Sequence, residues 1–117
     1  MRKTAISLVV IIVLLLPITT YAATSRSVGI IPRISFSGTT ANCSVIITAN
    51  NGNDEIEAAI KLWQGSKCVA TWSEDGTGNI IFSDTATATK GKTYKLTVDA
   101  IVNGVAQQQV SVSAKCE

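Results

Sequence analysis

The residues of this chain that could carry out chemistry are three cysteines, eight acidic side chains and two tryptophans, and the chain has no histidine. Without histidine, neither a Ser-His-Asp nor a Cys-His nucleophilic site can be built. The cysteines Cys43, Cys68 and Cys116 include no Cys-x-x-Cys pair, which argues against a zinc site. No glycine-rich phosphate loop is found either. We therefore predict a non-catalytic protein with no cofactor and no metal site among its cysteines.

The first 22 residues have the three parts of a secretory signal peptide. Arg2 and Lys3 precede an apolar run over 5–16, and Thr20-Tyr21-Ala22 is an A-x-A-like site of the kind that signal peptidase cleaves. The run is shorter than the roughly 20 residues that span a bilayer core. We expect cleavage after Ala22, secretion to the extracellular space and no stable membrane anchor after cleavage. An uncleaved N-terminal anchor is the alternative.

The net positive charge of the chain comes from basic residues near its N-terminus. The whole sequence has ten basic and eight acidic side chains, and cleavage after Ala22 removes two of the basic ones, Arg2 and Lys3. The remainder has eight of each sign and is close to neutral. A neutral domain of this size argues against nucleic acid and against electrostatic membrane binding as main partners.

The chain after residue 22 is rich in Val, Ile, Thr, Ser and Ala, which favour strands. Apolar and polar residues alternate between turn signals such as Asn103-Gly104. The pattern predicts a flexible N-terminal segment over 23–29 and one domain over 30–117. Seven strands are expected within it, at 30–36, 43–49, 56–63, 68–72, 80–88, 93–102 and 105–114. Their number and spacing are typical of an antiparallel β-sandwich, and a small β-barrel is the rival fold.

The segment Lys90-Gly91-Lys92-Thr93-Tyr94-Lys95-Leu96-Thr97-Val98 resembles the corner before the sixth strand of immunoglobulin-like and fibronectin type III-like domains. The chain as a whole is similar to small secreted proteins of Gram-positive bacteria that are built on this plan. The resemblance implies an all-β, seven-stranded antiparallel immunoglobulin-like sandwich. It also implies that the Tyr94 hydroxyl bonds back to the backbone upstream. The Cys–Trp–Cys arrangement of antibody domains is absent from the sequence.

Export makes a disulfide bond possible, and three cysteines leave one unpaired. In an up-and-down sandwich, Cys43 at the start of the second strand and Cys116 after the seventh lie at the same end of the domain. We therefore predict a Cys43–Cys116 disulfide with Cys68 unpaired. Cys43–Cys68 is the rival pairing. An unpaired Cys68 would be either a half-buried small residue or the link of a disulfide-bonded dimer.

Two further features are candidates for binding. The loops at 50–55, 74–78 and 103–104 share one end of the predicted sandwich and carry Asp54, Glu55, Glu74 and Asp75. Clustered oxygens of this kind could form a weak Ca²⁺ site or a ligand-binding end, although turns favour the same residues without any ligand. Trp63 falls on the outward phase of the third strand, where an aromatic side chain can contact a partner.

These residues predict a secreted, non-catalytic protein with a binding or structural role at or outside the cell surface. Its partner would be a protein or a carbohydrate of unknown identity. A small secreted effector, antimicrobial or enzyme-inhibitory, is the alternative. A minimal hydrolase that uses paired carboxylates is disfavoured, because the missing histidine leaves little else to build its site.

Overall fold

The structure, a computed structural model, describes residues 28–117. The predicted signal peptide over 1–22 and all but the last two residues of the segment over 23–29 lie outside the described residues. The described part contains eight strands and no helix, so none of it forms a membrane-spanning helix. The strands are β1 Gly29–Ser37, β2 Thr40–Thr48, β3 Glu55–Gln64, β4 Lys67–Thr77, β5 Asn79–Thr87, β6 Thr93–Val102, β7 Val105–Ala106 and β8 Val110–Lys115.

The strands form two antiparallel sheets. The small sheet has the order β1-β2-β5, and the large sheet has the order β4-β3-β6 with β7 and β8 both on the far side of β6. Two separate sheets make the fold a β-sandwich rather than the rival barrel, as predicted. β4 lies beside β3 in the large sheet, whereas the fourth strand of an antibody constant domain lies in the opposite sheet.

The core lies between the two sheets and follows the predicted alternation. In β2, Val45 and Ile47 are buried, and in β3 Ile60 and Leu62 are buried, while their sequence neighbours face solvent or lie half-buried. Successive residues of a strand point to opposite faces, so one face of each strand supplies the core. Trp72 closes the space between β4 and β5, with its ring centroid 5.3 Å from that of Phe82.

The Tyr94 hydroxyl bonds to the backbone upstream, as the sequence resemblance implied. The backbone N–H of Thr89 donates a hydrogen bond to the Tyr94 hydroxyl at 2.7 Å, and the hydroxyl donates to Gln64 Oε1 at 3.1 Å. Tyr94 itself is buried and its ring packs 5.7 Å from that of Phe36. This side chain therefore fixes the connection from β5 to β6 against the core.

Two strand predictions were wrong. The last strand is interrupted by an extra residue. Between the pairs Ile101↔Ala106 and Val98↔Val110, the last strand has three residues where β6 has two. This bulge divides it into β7 and β8 and makes eight strands rather than seven. In addition, β4 continues to Thr77, although the segment 74–78 was expected to be a turn. Pairing with β3 holds Asp75 and Gly76 in the sheet.

Candidate functional site

The outer face of the large sheet contains an open depression of about 400 Å³. It lies around Ala59 in β3, whose cross-strand partners are Ser73 in β4 and Asp99 in β6. Because alanine and serine are small, their row sits lower than the rows on either side. Ile101 forms part of the wall and is 40% exposed. The depression thus has small, largely apolar residues at its centre and an apolar side chain at its edge.

Four acidic residues line this depression, and three of them, Glu57, Asp75 and Asp99, are on the outward phase of their strands. Glu57 in β3 is directly opposite Asp75 in β4, and Asp99 lies across Ala59 in β6. All three side chains are exposed. Like charges directly opposite each other on neighbouring strands destabilise a sheet. A locally unfavourable arrangement of this kind is expected at functional or strained sites.

The orientation of Asp99 is set by Gln109, in the bulge between β7 and β8. The Gln109 side-chain amide donates to both oxygens of the Asp99 carboxylate, at 3.0 and 3.1 Å. An exposed carboxylate held in this way loses less conformational freedom when it binds a ligand. The bulge that interrupts the last strand therefore also positions one wall of the depression.

Trp63 lies on the same outer face, four residues along β3 from Ala59. Its indole N–H donates to Thr97 Oγ1 at 3.0 Å, and Thr97 is only 3% exposed although it is on the outward phase of β6. The ring therefore lies over Thr97, and the Lys61 ammonium is 6.0 Å from the ring centroid. The prediction that Trp63 faces outward is confirmed. Its role as a contact residue stays a prediction.

The four residues of the predicted acidic end have different roles. Asp54 accepts hydrogen bonds from the Asn51 N–H at 3.0 Å and from the Asn103 side-chain amide at 2.8 Å. The Glu55 N–H in turn donates to Asn103 Oδ1 at 2.9 Å. These bonds tie the β2–β3 loop to the β6–β7 turn. The Asp54 side chain thus has a structural role at this end.

Glu74 and Asp75 lie within β4 rather than in a loop, contrary to the prediction. Both residues line the depression, and Glu74, which is half-buried, pairs with the buried Ala58. Among residues 28–117, no group of three or more histidine, cysteine or acidic side chains is arranged to hold a metal ion. The Ca²⁺ interpretation of this end thus gains no support from the geometry of its carboxylates.

The predicted Cys43–Cys116 disulfide is not formed in the structure, where all three cysteines are free. Cys43 and Cys116 are both buried in the core. The Cys116 thiol, however, is directed to the carbonyl oxygen of Gly38, at 3.4 Å. Cys68 is exposed on β4, with its sulfur 3.4 Å from Thr71 Oγ1.

The thiols should differ in reactivity. We expect one rapidly reacting thiol, Cys68, in the native protein, and three after unfolding, because Cys43 and Cys116 are buried. Burial, with a smaller contribution from Asp84, raises the pKa of Cys43 from 9.0 to about 11. Because the folded state keeps this thiol protonated, the contribution of Cys43 to the free energy of unfolding is full below pH 9 and is lost as the pH rises from 9 through 11. A chromogenic disulfide reagent counts the reactive thiols of the native and of the unfolded protein. A single thiol in the unfolded, unreduced protein would show that a disulfide bond forms after all.

Sequence reasoning did not identify Glu57, Asp99 or Ala59 as site residues. In the sequence, nothing local connects Glu57 to Asp75 or Asp99. These side chains meet only through the pairing of β3 with β4 and β6. The available signal was the small residue Ala59 at the centre of an otherwise bulky outward phase.

Comparisons with known proteins give a likeness of fold. No family model matches the sequence, and no curated protein matches it. Two solved structures of the sensor domain of the anti-sigma factor RsgI4 from Pseudobacteroides cellulosolvens are similar to the chain. One is 19% identical, with a TM-score of 0.49, over 80% of this chain and 100% of that one. The other is 17% identical, with a TM-score of 0.47, over 78% of this chain and 92% of that one.

Proposed function

We propose that this protein is a non-catalytic binding domain that works outside the cell and holds a basic side chain of a partner protein in the acidic depression. The observation that carries the proposal is the placement of Glu57, Asp75 and Asp99 around the small residue Ala59. The extracellular location rests on the predicted signal peptide over 1–22.

The depression suits a cation on an aliphatic stem. Lysine and arginine side chains place their methylene groups on apolar surface and keep the charged end near water or carboxylates. Ala59 and Ile101 offer the apolar surface, and the three carboxylates offer acceptors for the charged end. A bound cation would also relieve the repulsion between Glu57 and Asp75.

The exposure of these carboxylates favours binding over catalysis. A carboxylic acid that acts as a general acid is usually enclosed in an apolar pocket. Glu57, Asp75 and Asp99 are all exposed, and none is enclosed by apolar side chains. Exposed carboxylates of this kind attract and orient a cation in a salt-dependent way.

We also propose that the domain is related to immunoglobulin-like and fibronectin type III-like sandwiches. The hydrogen bond from the Thr89 N–H to the Tyr94 hydroxyl supports this relationship, as does the order of the two sheets. Domains of this architecture present ligand-binding surfaces on their loops or on an exposed sheet face. The depression described above belongs to the second kind.

A peptide titration tests the proposal. The probe is a short capped peptide with a central lysine, and its control has norleucine at that position. We expect a Kd of about 1 mM, equivalent to about 4 kcal/mol, with amide NMR shifts at Ala59, Ser73 and Ile101. Binding should weaken as salt is added, since exposed charges are screened.

Matched variants complete the test. Asp99→Asn and Glu57→Gln should each weaken binding several-fold, whereas Asp84→Asn removes the same charge from the small sheet and should not. Glu57→Gln should also raise the free energy of unfolding by about 0.2–1 kcal/mol, because it removes the Glu57–Asp75 repulsion. Equal binding of the norleucine peptide, or of the Asp99→Asn variant, would contradict the proposal.

A further inference from the structure

The outer face of the small sheet carries a row of three exposed isoleucines. Ile31 in β1 is paired with Ile46 in β2, and Ile46 is paired with Ile81 in β5. Their side chains are 48%, 39% and 75% exposed. Single exposed apolar residues are ordinary, but a contiguous row on one face marks an interaction surface. This row, the isoleucine row, lies on the opposite side of the sandwich from the acidic depression.

The rest of this face is polar and almost without charge. The row on one side contains Arg33, Ser44 and Ser83, and the row on the other contains Gly29, Thr48 and Asn79. Arg33 is the single charged residue at the outward positions of β1, β2 and β5. The outer face of the large sheet, in contrast, carries Glu57, Lys61, Asp75, Lys95 and Asp99. The small sheet can therefore approach an uncharged surface without stripping water from several ions.

We propose that the isoleucine row is the contact surface of a homodimer, in which the small sheets of two copies pack face to face. The occupant that best fits a nearly uncharged face with an apolar row across it is a second copy of the same face, since a two-fold axis brings identical patches together. The described part of the chain has seven basic and eight acidic side chains, so little net charge opposes the approach of two copies. With an axis near Ile46, the two rows meet at their centres.

The edges of the small sheet favour face-to-face packing over strand addition. Pro32 removes one backbone donor from the free edge of β1. Asp84, on the inward phase of β5, places a charge at the other free edge. Prolines and inward-pointing charges are devices that prevent pairing between sheet edges. The face is thus open to association while both edges are protected.

The size of the face predicts a weak dimer. Three strands of nine residues cover roughly 14 by 30 Å, so two faces bury about 800–900 Å² at strand spacings near 4.8 Å. Interfaces below about 1,200 Å² are typical of weak or transient association. The dimer should therefore form in the range of about 10 µM to 1 mM protein.

Sedimentation equilibrium of the full chain tests the dimer. The chain is expressed so that any N-terminal processing takes place, it carries Cys68→Ser to exclude disulfide-linked dimers, and it is measured in reducing buffer. We expect the average mass to rise from one copy towards two over about 10 µM to 1 mM. Added salt should leave this rise unchanged or strengthen it, unlike binding at the acidic depression.

Two lysine variants complete the test. Ile46→Lys, at the centre of the row, should remain monomeric over the whole concentration range and should unfold at a near-native temperature. If this variant is unstable, Ile81→Lys replaces it in the test. Ile101→Lys is the matched control, because Ile101 is equally exposed but lies on the large sheet. It should dimerise as the parent does. A monomeric parent at 1 mM, a dimeric Ile46→Lys, or assembly beyond two copies would overturn the proposal.

Discussion

Replacing Tyr94 with alanine is expected to lower the free energy of unfolding by about 3–5 kcal/mol, the range for removing a large aromatic side chain from a core. Small domains are stable by only about 5–15 kcal/mol, so this variant should lose a large fraction of the stability of the domain. The ring packs 5.7 Å from Phe36, and the side chain is buried between the sheets. Urea unfolding followed by tryptophan fluorescence gives the change directly.

Tyr94→Phe separates the hydroxyl from the ring. This variant leaves the ring in place but removes the acceptor of the Thr89 N–H and the donor to Gln64. A partly buried N–H left without a partner costs about 1–3 kcal/mol. In a domain of this size, each kcal/mol corresponds to about 4–8 °C in unfolding temperature.

A double-mutant cycle identifies the contribution of each hydrogen bond of the Tyr94 hydroxyl. If the bond to Gln64 matters, Gln64→Ala and Tyr94→Phe should be less than additive, because both remove the same contact. If the bond to Thr89 dominates, the effects should add. A Tyr94→Phe variant as stable as the parent would show that the hydroxyl bonds contribute nothing to stability.

The strand faces could be predicted from the sequence because they depend on local alternation. Strand β6 was predicted with its observed bounds, Thr93–Val102, and its core residues Leu96 and Val98 are fully buried. A strand with one buried face allows a single phase, since a shift of one residue would turn its apolar side chains towards solvent. Period-2 patterning therefore carries most of the information about the core.

The end of β4 could not be predicted in the same way. The residues Glu74-Asp75-Gly76 have the composition of a turn, and turn propensity is a local property. Their observed conformation is set by the backbone pairs Glu57↔Asp75 and Ile56↔Gly76. Non-local pairing with β3 outweighs the local preference here. The chain turns only at Gly78, after β4 ends at Thr77.

Neither the isoleucine row nor the acidic depression could be predicted from local sequence patterns, and the reason is the same for both. Ile31, Ile46 and Ile81 are far apart in sequence, and each alone is an ordinary outward residue of its strand. The row exists because the β1–β2 and β2–β5 registers place them side by side. The acidic depression depends in the same way on the registers of β3 with its two neighbours. Register is a property of strand pairs, so a single strand's pattern does not specify it.

The turn after β4 supplies the second large effect. Gly78→Ala should destabilise the domain by about 2–4 kcal/mol, through left-handed backbone strain and a steric clash. Gly78 has a φ of +80°, and an added Cβ would lie 2.8 Å from the carbonyl oxygen of Gly52. Two backbone hydrogen bonds hold Gly78 to residues on either side of Gly52. The Ala49 N–H donates to Gly78 O at 2.9 Å, and the Gly78 N–H donates to Asp54 O at 2.8 Å. The β2–β3 loop therefore cannot move away without losing them.

Gly65→Ala is the matched control for this substitution. Gly65 also has a positive φ, +63°, but an added Cβ there would meet nothing within 4 Å. This variant should therefore lose only the conformational term, about 1 kcal/mol. The difference between the two variants, measured by urea unfolding, isolates the contact between Gly78 and Gly52. Equal losses would mean that the loop yields freely and that the close approach of the two backbones does not stabilise this end of the sandwich.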